Sequence, residues 1–162
     1  MAPLHINMRT WQKFLDERLL ENTGWKLYHG SNSEQFIGKI KVNERDSGWF
    51  GAGFYLTAYP SYAQRWGKFI YEISVPPSKF AEVITDNNYS KIEFVGDAQK
   101  ADLQAGGTEA WINNETQWSQ TFTKVLQQMG YDGVRVHVGN YKDLEVLIFN
   151  PSKLVVIGTF VA

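Results

Sequence analysis

The sequence predicts an α+β domain, and three observations carry that expectation. Many short apolar or alternating segments bounded by glycine, Asn and Asp have the length and pattern of strands. Two segments carry an apolar stripe at helical spacing. Many short strands accompany only two main helices, where a chain of βαβ units would alternate strand and helix one for one. The 162 residues suit one domain, and a domain of about 150 residues buries around 70% of its unfolded surface. Residues 1–162 are therefore expected to form a single domain, an N-terminal helix within 1–23 and a β-rich core over 24–162.

In chain order, Trp11, Phe14, Leu15 and Leu19 predict a first helix over 8–20, which Thr23-Gly24 ends. WKLYHGS then predicts a short strand running into a glycine turn. SEQFIGKI fits either a helical turn or a strand, and SGWFGAGFYLT a glycine-rich loop feeding a strand. PSYAQRWG opens on Pro60 and stops at Gly67, as a two-turn helix should. KFIYEISV places Phe69, Tyr71, Ile73 and Val75 on one face of a half-buried strand. KFAEVI and KIEFVG predict further strands. Trp118, Phe122, Val125, Leu126 and Met129 predict a second main helix over 114–129, with Asn114 as its cap and GYDG closing it. VRVHV, LEVLIF and KLVVIGTF supply three last strands.

Composition removes several functions. With no Cys there is no disulfide, thiolate zinc site or Cys nucleophile. A net charge of −1 argues against a domain that binds nucleic acid through a strongly basic surface. A charged fraction of 20% with 43% hydrophobic residues excludes a disordered chain. No apolar run approaches the ~18 residues of a membrane span, and MAPLHINMRT lacks the pattern of a secretory signal. Cytoplasmic synthesis is expected, with delivery to a target cell left open. The chain has no phosphate-loop motif, and GWFGAG precedes a strand where a dinucleotide fingerprint needs a helix. His5, His29 and His137 lack zinc-ligand spacing, and no metal is expected. What stands out is a surplus of 6 Trp, 8 Tyr, 10 Phe and 14 Gly.

Three islands concentrate the remaining chemistry. In Leu27-Tyr28-His29-Gly30-Ser31, His29 has hydrogen-bonding capacity for a ligand hydroxyl, and Gly30 lets a flat ligand reach bare backbone. In Gly51-Ala52-Gly53-Phe54-Tyr55-Leu56-Thr57, Tyr55 is followed eleven positions on by Trp66. Two such aromatics can wall a planar cationic ring, each contact contributing about 0.5–2 kcal/mol. In the strand Tyr141–Phe149, Asp143, Glu145 and Leu147 should share one face, with Leu144, Val146 and Ile148 on the other. A carboxylate in so apolar a strand needs a partner or a role. Taken singly, the islands also read as a strand-end His before a turn glycine, as core aromatics and as a solvated strand start.

Their combination and order resemble the ADP-ribosyltransferase superfamily, in the His–Tyr–Glu branch shared by diphtheria toxin and the poly(ADP-ribose) polymerases. Gly130-Tyr131-Asp132-Gly133-Val134 and FNPSKLVVIG are similar to bacterial and phage-borne members. The resemblance spans residues 25–158 and implies a split, bent β-sandwich holding NAD+ in a central cleft. It implies that His29 binds a ribose hydroxyl and that the Gly30 backbone holds the nicotinamide amide, assisted by Ser31. Tyr55 would stack on the nicotinamide, Trp66 would take the place of the second sandwiching aromatic, and Glu145 would bind the nicotinamide ribose and stabilise its developing positive charge. Gly51 and Gly53 would complete the slot. Asp143 would orient an acceptor.

The implied activity is transfer of one ADP-ribose from NAD+, used as substrate, to a macromolecule, expected to be a protein. The alternatives are an NAD+ glycohydrolase and a silent NAD- or ADP-ribose-binding module. An immunity or antitoxin protein is a further expected partner, no membrane association is expected, and the chain is expected to be a monomer. Two departures from the family pattern stand out. Trp66 replaces a commoner Tyr, and the polymerase-branch serine on the intervening helix has Tyr62, Ala63 and Gln64 nearby, with Ser61 a turn earlier.

Overall fold

A computed structural model describes residues 25–32, 50, 51 and 53–162. The expected helix over 8–20 and the ambiguous SEQFIGKI segment lie outside the described residues. Within them the α+β class holds: eight strands form two sheets, and four α-helices accompany them. Among the described residues no helix is long and apolar enough to cross a membrane.

β1 (Trp25–Ser31), β3 (Phe69–Val75) and β8 (Val155–Val161) make a three-stranded sheet in the order β1-β3-β8. β2 (Phe54–Leu56), β4 (Phe80–Thr85), β5 (Ile92–Val95), β6 (Gly133–Val138) and β7 (Tyr141–Ile148) make a five-stranded sheet in the order β2-β7-β6-β4-β5. Among the described residues only β4 and β6 pair in parallel, and the long connection between them holds α-helices, as a parallel crossover allows.

α1 (Pro60–Ala63) begins on proline and tightens into a 3-10 turn (Gln64–Trp66) that ends at Gly67, so the two expected turns are present and the second is 3-10. The other long helix is α4 (Glu115–Gln128), and Asn114 caps it by accepting from the Gln117 N–H at 3.1 Å. Between Val95 and Asn114 lie two helices that the expectation of two main helices omits, α2 (Asp97–Gln104) and α3 (Gly107–Asn113). Their sequences bury too little to print a stripe. α2 buries Ala98, Ala101 and Asp102, and α3 buries no residue fully.

The five-stranded sheet buries both faces. One face, with Val83, Val134, Val136 and Leu147, packs against Trp118, Phe122 and Leu126 of α4 and Ala98 and Ala101 of α2. The other, with Phe54, Leu56, Val146 and Ile148, packs against Leu27, Tyr71 and Ile73 of the smaller sheet. β3 is also more enclosed than a half-buried strand, since Ile70 is fully buried. Ile70 lies opposite Gly30, whose missing side chain lets α1 settle onto the sheet: a Cβ there would stand 1.8 Å from the Ala63 carbonyl oxygen.

Candidate functional site

The two sheets are joined at one point and then part. Tyr28 and Thr57 exchange backbone hydrogen bonds of 2.8 and 2.9 Å. A continuing antiparallel ladder would next join Gly30 to Tyr55. The Tyr55 carbonyl is met instead by His29 Nδ1 at 2.7 Å. A carbonyl only accepts, so Nδ1 carries the proton. Strand alternation turns the Gly30 N–H and C=O to the same edge as those of Tyr28, towards this split.

From that point a chain of contacts links the residues the sequence singles out. The Trp66 ring stacks on His29 with centroids 5.8 Å apart, and Phe54 lies 4.2 Å from the same imidazole. Trp66 meets Tyr62 edge-on at 5.6 Å. Tyr62 donates its hydroxyl hydrogen to Glu145 Oε1 at 3.3 Å. Tyr55 faces Leu147 across the β2–β7 pair, so it shares the helix-side face with Glu145, two residues before Leu147. Such diagonal neighbours stand about 7–8 Å apart. Ser31 closes β1, where the Gly67 backbone packs onto it.

The glycine-rich loop serves Tyr55. The Tyr55 hydroxyl donates to the Gly51 carbonyl at 2.7 Å and accepts from the Phe50 N–H at 3.3 Å. Gly51 has φ +109, and a Cβ there would lie 2.7 Å from Thr123 of α4. The bare faces of Gly30, Gly51 and Gly53 are thus filled by protein neighbours. What Gly30 offers a ligand is its backbone edge.

Glu145 is 8% exposed. Burial raises its carboxyl above the usual glutamate range, against the opposing pull of the Tyr62 hydrogen bond, the Arg65 charge and the Tyr89 hydroxyl. Its Oε2 is buried with no hydrogen-bond partner among the described residues. Tyr62 and Tyr89 are held above the ordinary phenol range, first by burial and then by the Glu145 charge. Tyr89 was not singled out from sequence. It sits on the turn between β4 and β5, far from the other islands, and no local motif marks it.

Asp143 departs from the face expected of it. It adopts φ +59 where β7 bulges against β6. The reversal sends its carboxylate to Arg135, which it grips through both oxygens at 2.7 and 2.8 Å. Arg135 alternates with Val134 and Val136, so it points away from the helix-side core. Leu144, expected on the opposite face from Glu145, packs against that helix-side core instead. Alternation holds from Glu145 onward and fails at the bulge, where three residues of β7 (142–144) stand against one of β6 (137). Asp143 is therefore the buried carboxylate of a part-buried ion pair with Arg135, off the face shared with Glu145 on which its acceptor-orienting role was expected.

Among the described residues no group of three or more His, Asp or Glu side chains is placed to hold a metal ion. No protein-family model matches the chain, and no curated protein matches it. Among solved structures the chain is similar to one titled "Crystal structure of an anti-CRISPR protein", at 20% identity and a TM-score of 0.43, over 82% of this chain and 95% of that one. This degree of likeness identifies neither fold nor function.

Proposed function

We propose that the protein is a mono-ADP-ribosyltransferase with a split, bent β-sandwich of the ADP-ribosyltransferase type. In this reading it takes NAD+ as substrate and a protein as acceptor. The observation that supports this best is the buried, partnerless Oε2 of Glu145. An unpaired buried carboxylate oxygen costs stability unless a ligand satisfies it, and a ribose hydroxyl is a donor of the right kind.

The surroundings suit the rest of the substrate. The outward edge of Gly30 offers an N–H and a C=O to a carboxamide, which needs one acceptor and one donor. Tyr55 and Trp66 supply aromatic surface for the cationic pyridinium. The His29 imidazole, stacked on Trp66, stands where a second ribose hydroxyl would lie. In the reaction the bond between ribose C1′ and the nicotinamide nitrogen breaks, and its electron pair leaves with the nitrogen, so nicotinamide departs neutral without a general acid. The ribose becomes oxocarbenium-like, and the Glu145 carboxylate stabilises that charge. An acceptor nucleophile then bonds to C1′ and releases its proton to water.

Incubating the protein with NAD+ in a cell lysate, and following both nicotinamide and protein masses, tests this. Nicotinamide release with mass additions on proteins is the expected result. Release without additions would make the protein a glycohydrolase, and binding of NAD+ without release would make it a silent module.

A further inference from the structure

Glu145 is approached by two phenols from separate elements. Tyr62 comes from α1 and donates to Oε1 at 3.3 Å. Tyr89 comes from the turn between β4 and β5, and its phenol lies near enough to the same carboxylate and to Tyr62 to act on the titration of both. The turn is built to hold that ring where it is. Tyr89 has φ +55, a conformation costly for a bulky side chain. Asp86 secures it: its backbone carbonyl accepts from the Tyr89 N–H at 3.1 Å, and its Oδ1 accepts from the Ser90 and Lys91 N–H groups at 2.7 and 3.2 Å. Its Oδ2 accepts from the Ser90 hydroxyl. A turn tied by four hydrogen bonds around a left-handed tyrosine is a fixed mount for one side chain.

We propose that Tyr62 and Tyr89 are positioning residues that clamp one side of the Glu145 carboxylate and leave Oε2 to the substrate. The inference rests on the transferase reading above and extends it to residues the family pattern does not supply. The mechanism is electrostatic. A carboxylate this buried tends to take up a proton, and donated hydrogen bonds favour its charged form. Among the described residues, the groups that act on Glu145 are Tyr62 and Arg65 from α1 and its 3-10 turn, and Tyr89 from the β4–β5 turn. Tyr55 shares the face, but its hydroxyl is engaged with Gly51 and Phe50. Val136 and Leu147, the nearest residues along β6 and β7, are apolar. Arg135, Asp143 and His137 form a separate network beyond the bulge. Tyr62 and Tyr89 are thus the neutral groups, and Arg65 the charge, that oppose the effect of burial on Glu145.

Tyr62→Phe and Tyr89→Phe keep each ring and remove only the hydroxyl. Two measurements decide the proposal. Carbon-13 NMR titration of the Glu145 carboxyl should show its midpoint moving to higher pH in each variant. In NAD+ turnover, kcat at neutral pH should fall about tenfold, the scale of losing a hydrogen bond to a charged group. KM for NAD+ should stay within about twofold, and the acidic limb of the rate profile should move up with the NMR midpoint, as expected for a carboxylate that must be ionised. An unmoved midpoint overturns the proposal, as does a change confined to KM. Wild-type protein that releases no nicotinamide would sink the transferase reading, and the NMR titration would still decide the role of the two tyrosines.

Discussion

The Tyr62 hydroxyl reaches Glu145 Oε1 across 83 residues of sequence, tying the helix after β2 to the carboxylate of β7. One contact thereby joins the aromatic side of the site to its acidic side. Burial lifts Glu145 above the ordinary glutamate range, so the folded state favours the neutral acid more than the unfolded chain does. The stabilising contribution of the protonated form is complete below the unfolded value and is lost as pH rises through the raised folded value. Glu145→Gln should therefore melt higher than wild type at neutral pH, by a few degrees, with the gap closing in acid. Calorimetric scans across pH check this. A lower melting temperature at neutral pH would mean that the carboxylate is satisfied in the folded protein.

Asp102 gives an independent case of the same sign. It is 8% exposed and accepts from the Trp118 indole N–H at 2.9 Å. Burial outweighs that hydrogen bond and raises its carboxyl above the usual aspartate range. Asp102→Asn keeps an oxygen for the indole and removes the charge, so it should stabilise the fold above the folded titration point and have little effect in acid. Urea denaturation at two pH values measures the difference, and equal effects at both would contradict it.

The Arg135–Asp143 pair should behave in the opposite way. Both hydrogen bonds of the fork are short and Asp143 is buried, so Arg135→Ala strands a carboxylate in the interior. A loss of roughly 3–5 kcal/mol is expected. Arg135→Lys keeps the charge but not the fork, and should recover only part of it. Chemical denaturation reads both, and a loss below about 1 kcal/mol for the alanine variant, typical of a surface pair, would show that the pair is dispensable.

Gly30→Ala tests the seating of α1. The added Cβ would stand 1.8 Å from a backbone oxygen, which side-chain motion cannot relieve. Overpacking of this kind costs about 1–3 kcal/mol or more. The Tyr62 and Trp66 contacts should loosen with it, visible as a changed tryptophan emission. A variant of wild-type stability and emission would show that α1 is not seated against β1.

Much of this was legible in the sequence because the signals were local. Strand alternation, the Asn114 cap and the Pro60–Gly67 bracket each lie within a few residues of the element they define. His29, Tyr55, Trp66 and Glu145 were legible through spacing and order. The structure brings them into one contact chain. Other features depend on distant partners. Asp143 reverses because of a bulge against β6, which no pattern within β7 announces. Tyr89 matters through a carboxylate 56 positions further along the chain. The helices α2 and α3 bury so little that their apolar residues form no readable stripe.

The role of Glu145 is tested most directly by nicotinamide release from NAD+ by wild type and Glu145→Gln, with NAD+ affinity measured on both by calorimetry. Wild type should release nicotinamide. The variant should be slower by about 10²–10³-fold, the scale of losing one preorganised electrostatic contact, with affinity changed only a few-fold. Equal release by the two proteins would contradict the assignment of Glu145 as the stabilising carboxylate.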